Sequence, residues 1–161
     1  MVSAPPPLQV FVRLNFDATY FSGCHVGLGA VFRDSAGSVL AASHEDFVAR
    51  WNPLIAKTKA LIEGLVLAAS HGWKNIIVEL DCQSHIHAIL SRLDDVASFG
   101  LLLDDVVRLA GILNGCSFSF VRRSGNQVAH RLARFCGEGD DSVWFGCVHS
   151  GLNSFVLMDI K

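Results

Sequence analysis

Two aspartates, Asp17 and Asp81, stand where a short, largely apolar segment ends. Asp17 closes an alternating pattern that begins at Val10, and Asp81 directly follows the segment Asn75–Leu80. Because the strand ends of one sheet meet at a common edge, we expect the two carboxylates to lie close together. Two carboxylates are the minimum set that holds Mg²⁺. The alternative is structural: Asp17 opens a turn and Asp81 caps the helix that follows.

The hydrophobic pattern predicts the elements that would position these aspartates. Alternation and turn residues predict five strands: Val10–Asp17, Gly27–Arg33, Ser38–Val48, Asn75–Leu80 and Ser117–Arg122. Helical spacing predicts four helices: one that Asn52 caps and that runs from Pro53 to the stop signal His71-Gly72, then Gln83–Leu90, Phe99–Ile112 and Asn126–Cys136. This order predicts an α/β fold with a five-stranded mixed sheet, three antiparallel strands followed by two parallel ones, flanked by helices on both faces.

Length and composition fit one domain with a sizeable core. The chain has 161 residues, of which 51% are hydrophobic and 17% charged. It lacks an apolar run near the roughly 18 residues that span a bilayer, and its start lacks the features of a secretory signal. We therefore expect an intracellular protein without a membrane partner. Residues 1–8 are predicted to be a disordered lead-in, 9–136 to form the domain, and 137–161 to pack back on it.

Charge and cysteine content narrow the function further. Proteins that bind nucleic acid strongly usually carry many basic residues, and the net charge of −2 shows no such excess. Any binding of nucleic acid must therefore depend on a local cluster of basic residues. The five cysteines are odd in number and contain no Cys-x-x-Cys pair. This argues against a disulfide framework and against a structural zinc site. Most of the cysteines are predicted to be reduced residues buried in the core.

Four short motifs, in this order along the chain, resemble a known family. They are Asn15-Phe16-Asp17, the segment Gly27–Asp34, the segment Val78–Asp81 and the segment Arg122–His130. Together they are similar to ribonuclease H-like domains. The similarity is greatest to the subgroup found in plant retroelement reverse transcriptases and in stand-alone proteins derived from them, and it covers roughly residues 10 to 136.

The resemblance implies a nuclease that cuts the RNA strand of RNA/DNA hybrids, with two Mg²⁺ ions held by four acidic residues. The first acidic position of the family falls on Asp17 and the third on Asp81. The second, a glutamate that follows alanine on the first helix, falls on Lys57. The fourth, an aspartate that follows alanine on the last helix, falls on His130.

These two replacements take away two of the four carboxylates that the resemblance implies. A lysine ammonium has only donors, and Mg²⁺ prefers oxygen over imidazole. We therefore expect two-metal catalysis, with Mg²⁺ or Mn²⁺ as the cofactor of an active form, to be lost or severely weakened. Lys57 is instead predicted to pair with Asp17 or Asp81 and to occupy the place of a metal by its own charge.

Glu79 and His130 are the remaining groups that could supply activity. Glu79 precedes Asp81 by two residues and shares its side of the strand, so it is a candidate metal ligand; alternatively it meets a nearby arginine at the sheet edge. His130 is a candidate proton shuttle or a weak ligand for Mn²⁺ or Zn²⁺. The alternative for His130 is a polar residue at the edge of the core.

Nucleic-acid binding is predicted to be weak. The candidate contact residues are Asn15, Arg122, Arg123, Asn126 and Arg134. Gly27 and Gly29 would let a phosphate backbone approach the sheet. The basic protrusion by which bacterial relatives grip the hybrid has no counterpart here, so affinity is expected to be modest and salt-dependent. A different class of function stays open: a non-catalytic module that uses the apolar C-terminal segment and the sheet as a docking surface for a protein partner, whose identity the residues do not indicate.

Overall fold

The computed structural model describes residues 11–21, 23–91, 97–135, 141–147 and 152–158. The six strands found there are β1 (Val12–Phe21), β2 (His25–Arg33), β3 (Val39–Val48), β4 (Ile76–Leu80), β5 (Cys116–Phe120) and β6 (Ser142–Phe145). The helices are α1 (Pro53–Ser70), α2 (Gln83–Ser91), α3 (Ala97–Ile112), α4 (Gln127–Ala133) and α5 (Asn153–Met158). The predicted lead-in at residues 1–8 lies outside the described ranges. Among the helices of these ranges, none combines the length and the apolar character that crossing a membrane requires.

The strands form one mixed sheet in the order β5-β4-β1-β2-β3-β6. Strand β4 pairs in parallel with both β1 and β5, and the remaining neighbours are antiparallel. The predicted α/β class with a mixed sheet is confirmed, but the predicted number of five strands is wrong. The sixth strand, β6, comes from the segment after residue 136 and pairs with β3, with Ala42 opposite Trp144. Its four residues carry too short a pattern to indicate a strand, and the pairing with β3 supplies the hydrogen bonds that make it one.

Helix α1 begins and ends at the predicted signals. The side chain of Asn52 accepts a hydrogen bond from the backbone N–H of Ile55 at 2.8 Å, and Pro53 is the first helical residue. Gly72, just beyond the last turn, has a φ of +68°. The face of α1 that carries Gly64 lies against β1, where a Cβ added at Gly64 would approach Leu14 to 3.0 Å. Helix α1 is thereby held close to the strand that carries Asp17.

Helix α4 packs against the opposite face of the sheet, and two glycines of β2 allow it to do so. A Cβ added at Gly27 or Gly29 would collide with the backbone of Ala133, and the one at Gly29 would also lie 2.5 Å from the carbonyl oxygen of Ala129. The prediction that these glycines admit a phosphate backbone is therefore wrong, because the backbone of α4 occupies that space. Sequence spacing alone does not say which chain approaches a glycine.

The cysteines do not fill the core as predicted. Cys24 and Cys147 are exposed, while Cys82 and Cys116 are half-buried. All four are free thiols, and Cys136 lies outside the described residues. The core is built instead from aliphatic and phenylalanine side chains on the two faces of the sheet.

Glu45 of β3 makes the stability of this fold depend on pH. Its pKa is raised from 4.5 to about 7, first by burial and then by the charges of Glu63 and Asp141. A carboxyl group whose pKa is raised on folding does not destabilise the folded state while it is protonated. As pH rises from about 4.5 to 7 the group ionises, and the free energy of unfolding falls. We expect Glu45→Gln to raise the free energy of unfolding at pH 8.5 by about 1 kcal/mol, discounted because the side chain is only half-buried.

The measurement is urea denaturation of the Glu45→Gln variant and the wild type at pH 5 and pH 8.5. The stabilisation should be clear at the higher pH and small at the lower one. Asp104→Asn, an exposed change on α3, is the control and should not depend on pH in this way. Equal stabilisation by Glu45→Gln at both pH values would contradict the role assigned to Glu45.

Candidate functional site

Asp17 and Asp81 come together where the pairing of β1 with β4 ends. The last pair of this parallel ladder is Asn15 with Glu79, and each aspartate lies two residues further along its own segment. Asp81 follows the end of β4, as predicted. Asp17, however, is not at the end of a strand, because β1 continues in antiparallel pairing with β2 as far as Phe21. The predicted meeting of the two carboxylates at one edge is nevertheless found.

The ammonium group of Lys57 lies between these two carboxylates. Its Nζ is 3.3 Å from Oδ1 of Asp17 and 3.3 Å from Oδ1 of Asp81. Lys57 projects from α1, and about a quarter of its side chain is exposed. Burial by itself lowers the pKa of Lys57, but the charges of Asp17 and then Asp81 outweigh it, so the pKa is raised. The predicted ion pair is therefore present, and it involves both aspartates rather than one.

His130, which projects from α4, contacts Asp17 from the side of the sheet opposite to α1. Its Nδ1 lies 2.8 Å from Oδ2 of Asp17. Since a carboxylate only accepts, Nδ1 is the nitrogen that carries the proton in this contact. The backbone N–H of Ala18 donates to Oδ1 of Asp17 at 2.9 Å. Asp17, which is 4% exposed, therefore accepts from an ammonium, an imidazole and an amide.

Glu79 is engaged elsewhere. Its Oε1 lies 3.4 Å from the guanidinium of Arg13, and its Oε2 accepts a hydrogen bond from Asn15 at 3.1 Å. This is the alternative weighed from the sequence, an acid that meets a nearby arginine. Within the described ranges, His, Cys, Asp and Glu side chains form no group of three or more that could hold a metal ion.

Two asparagines that we predicted to contact nucleic acid are buried. Asn15 is 0% exposed and lies between Glu79 and Arg33, whose guanidinium donates to its Oδ1 at 3.1 Å. Asn126 is also 0% exposed and donates to the carbonyl oxygen of Phe16 at 3.2 Å. Asn126 thus ties the start of α4 to β1, next to Asp17. Both asparagines position the site, and their burial keeps them from contacting a ligand.

A cavity of about 790 Å³ opens above the two aspartates. Its lining residues are Asp17, Ala18, Lys57, Asp81, Arg123, Gln127, His130, Arg131, Arg134, Phe135 and Leu152. The predicted contact residues Arg123 and Arg134 are among them, whereas Arg122 is exposed outside the cavity. The sequence interpretation missed Gln127, although its spacing of i, i+3 and i+7 with His130 and Arg134 was visible. It missed Leu152 because no local pattern links that residue to the site.

A buried histidine, His85, hydrogen-bonds to Thr58, the residue that follows Lys57 on α1. The hydroxyl of Thr58 donates to the carbonyl oxygen of Leu54 at 2.8 Å, and it therefore accepts the hydrogen bond from Nε2 of His85 at 2.9 Å. The pKa of His85 is lowered to about 4, first by burial and then by the charge of Lys57. His85 is consequently neutral at physiological pH and adds no charge beside the Lys57–Asp81 pair.

Comparison with known proteins shows what the chain is similar to. The model of a family described as reverse transcriptase-like matches residues 15–136. No curated protein sequence matches the chain. Many solved structures share the fold, and the chain covers more than nine tenths of each of the three that follow.

The first is RNase H1 from the halophilic archaeon Halobacterium salinarum, at 22% identity, a TM-score of 0.70 and coverage of 77% of this chain and 95% of that one. The second is the N-terminal RNase H domain of a Mycobacterium tuberculosis protein, at 25% identity, a TM-score of 0.70 and coverage of 78% and 92%. The third is LC11-RNase H1, isolated from compost and crystallised in complex with an RNA/DNA hybrid, at 16% identity, a TM-score of 0.65 and coverage of 78% and 94%.

Proposed function

Because the chain belongs to the reverse transcriptase-like family and has the RNase H-like fold, we propose that it is a nucleic-acid-binding domain that has lost metal-dependent cleavage. In this family context the expected reaction is hydrolysis of the RNA strand of an RNA/DNA hybrid. The subgroup that we expect is the one derived from plant retroelements. The chain thus binds the ligand class of the family but does not hydrolyse the RNA strand.

The observation that carries the proposal is the position of Lys57. The site that would hold divalent ions has two negative charges, on Asp17 and Asp81, and a positive charge 3.3 Å from each. His130 occupies the fourth acidic position of the family, and its Nδ1 donates to Asp17. Lysine offers no lone pair to a cation, and Mg²⁺ requires several oxygen ligands in octahedral geometry. The residues present do not fit a pair of divalent ions.

Two features support retained binding of nucleic acid. The cavity next to the aspartates is lined by Arg123, Arg131 and Arg134, and arginine is well suited to phosphate. LC11-RNase H1, which has the same fold, was crystallised with an RNA/DNA hybrid. An RNA/DNA hybrid is therefore the ligand that we propose for this chain, with modest affinity because the cationic surface is local.

The test is incubation of the purified protein with a labelled RNA/DNA hybrid in Mg²⁺ or Mn²⁺, with binding followed by fluorescence anisotropy. We expect the hybrid to be bound and to stay intact. Asp17→Asn, analysed in parallel, distinguishes activity of this site from a contaminating nuclease. Metal-dependent cleavage by the wild type that disappears in Asp17→Asn would overturn the proposal.

A second candidate function is a protein-interaction module on the same fold. It is favoured by an open groove of about 510 Å³ between α2 and the edge strand β5. Its apolar lining includes Ile86, Leu90, Phe118 and Phe120. A wild-type protein that neither binds nor cleaves the hybrid would favour this second function.

A further inference from the structure

We propose that the cavity above Asp17 and Asp81 binds a phosphodiester group of a nucleic-acid strand directly, without any metal ion. This rests on the proposed function and adds the residues and the chemistry of recognition. Three observations support it: the charges that line the cavity, the contacts that Asp17 and Asp81 already make with Lys57, and an apolar wall on one side.

The charge that lines the cavity is positive although the chain as a whole is not. Among the residues that the structure describes, those that line the cavity carry four positive charges, on Arg123, Arg131, Arg134 and Lys57, against two negative charges, on Asp17 and Asp81. The whole chain carries a net charge of −2. A cleft lined mainly by charges of one sign concentrates the electric field and attracts ions of the opposite charge. The preferred ligand is therefore an anion.

The aspartates at the base do not oppose such an anion as free carboxylates would. Asp17 accepts from Lys57, His130 and the amide of Ala18, and Asp81 accepts from Lys57. In a metal-dependent site, divalent ions would neutralise carboxylates so that a phosphate could approach. Here the resident ammonium of Lys57 neutralises one of the two negative charges, and the three arginines that line the cavity outnumber the one that remains, so no ion has to be recruited from solution. We therefore infer that binding is insensitive to metal removal.

An apolar wall beside the arginines favours a nucleotide over a bare anion. Phe135 and Leu152 contribute this wall. The ring of Phe135 is fixed edge-on against His44 and Trp144, with centroids 5.6 and 5.7 Å apart. Leu152 is 8% exposed and belongs to the core cluster around α4. It lies beyond the family match at 15–136, so this wall is built partly by a segment that the family match does not include.

The size of the cavity agrees with this ligand. A volume of about 790 Å³ lies within the range of about 300–1,000 Å³ that small-ligand sites occupy. The space accommodates one nucleotide unit of a strand, with its phosphate against the guanidinium groups of Arg131 and Arg134 and its sugar toward Phe135 and Leu152.

The experiment measures binding of a short fluorescein-labelled RNA/DNA hybrid by the full chain in excess EDTA. The test variant is Arg131→Gln/Arg134→Gln, and the matched control is Arg50→Gln/Arg108→Gln, which removes the same charge at exposed positions outside the cavity. We expect the test variant to bind about tenfold or more weakly. Its log–log salt dependence should be less steep by about one to two units, since each lost phosphate contact removes about 0.9. The control should remain within about twofold of the wild type, as charges distant from the ligand are screened.

Two further measurements test whether binding needs a metal ion and whether free phosphate competes with the hybrid. Addition of Mg²⁺ at constant ionic strength should leave the wild-type affinity unchanged, and inorganic phosphate at millimolar concentration should not displace the hybrid. Thermal unfolding checks that each variant folds, and Arg123→Gln is a second variant with an independent position. The inference is overturned if the test variant retains wild-type affinity and salt dependence, or if the wild type binds only with Mg²⁺. Neither result bears on the proposed loss of cleavage. Cleavage by the wild type would contradict the proposed function, but it would not contradict the contacts proposed for the arginines.

Discussion

The double variant Lys57→Glu/His130→Asp is expected to bind Mn²⁺ and Mg²⁺, which we expect the wild type not to do. The two changes replace the ammonium between Asp17 and Asp81 with a carboxylate, and the imidazole beside Asp17 with another. Four carboxylates at this edge of the sheet attract divalent cations strongly, and they repel one another when no cation is present. Without metal, the variant should lose about 3 kcal/mol of stability, because it breaks a largely buried ion pair.

Metal binding should recover most of that loss. A ligand at about 100 times its dissociation constant stabilises the folded state by about 2.7 kcal/mol. Thermal unfolding of the double variant should therefore shift upward by several degrees in Mn²⁺, while the wild type shows no such shift. Isothermal titration calorimetry measures the affinity, and the hybrid-cleavage assay shows whether metal-dependent activity appears together with it.

The matched control is Lys59→Glu/His87→Asp, which makes the same changes of residue type at positions that do not line the cavity. Lys59 lies two residues from Lys57 on α1, which turns its side chain to another side of the helix. This control should gain neither metal affinity nor a thermal shift. If the wild type itself bound Mn²⁺ as tightly as the double variant, the role assigned to Lys57 would be wrong.

Gly29→Ala is expected to destabilise the fold by about 3 kcal/mol, at the upper end of what overpacking costs. The added Cβ would meet backbone atoms of Ala133 and Ala129 rather than a flexible side chain. Relief therefore requires α4 to move as a unit away from β2. Since α4 carries His130, its contact with Asp17 at 2.8 Å should be disturbed as well.

Urea denaturation measures the loss, which corresponds to a decrease in Tm of about 8 °C. Gly111→Ala is the matched control, because a Cβ at this exposed position of α3 meets nothing within 4 Å. There the substitution should stabilise the protein by up to about 1 kcal/mol, as alanine is the better helix former. Similar stabilities of the two variants would show that α4 does not approach β2 as closely as described.

The sequence was sufficient for features that depend on neighbouring residues or on the order of motifs. The cap of α1 at Asn52, its end before Gly72, the α/β class and the family resemblance all follow from local patterns. The meeting of Asp17 with Asp81 was also predictable, because it follows from the general convergence of strand ends. The ion pair of Lys57 could be anticipated, since a lysine at a position occupied by a metal ligand in the family is drawn to the remaining aspartates.

Other features were decided by the tertiary structure. The role of Gly29 depends on which backbone crosses β2, and the burial of Asn15 and Asn126 depends on partners more than 15 residues away. Glu79 is on the predicted strand, yet Arg13 and Asn15 determine its contacts. Strand β6 and Leu152 come from a segment whose own pattern is weak. Local residue order specifies which groups are available, but long-range packing selects the partner of each group, because a burial or a contact becomes favourable only when the second surface is in place.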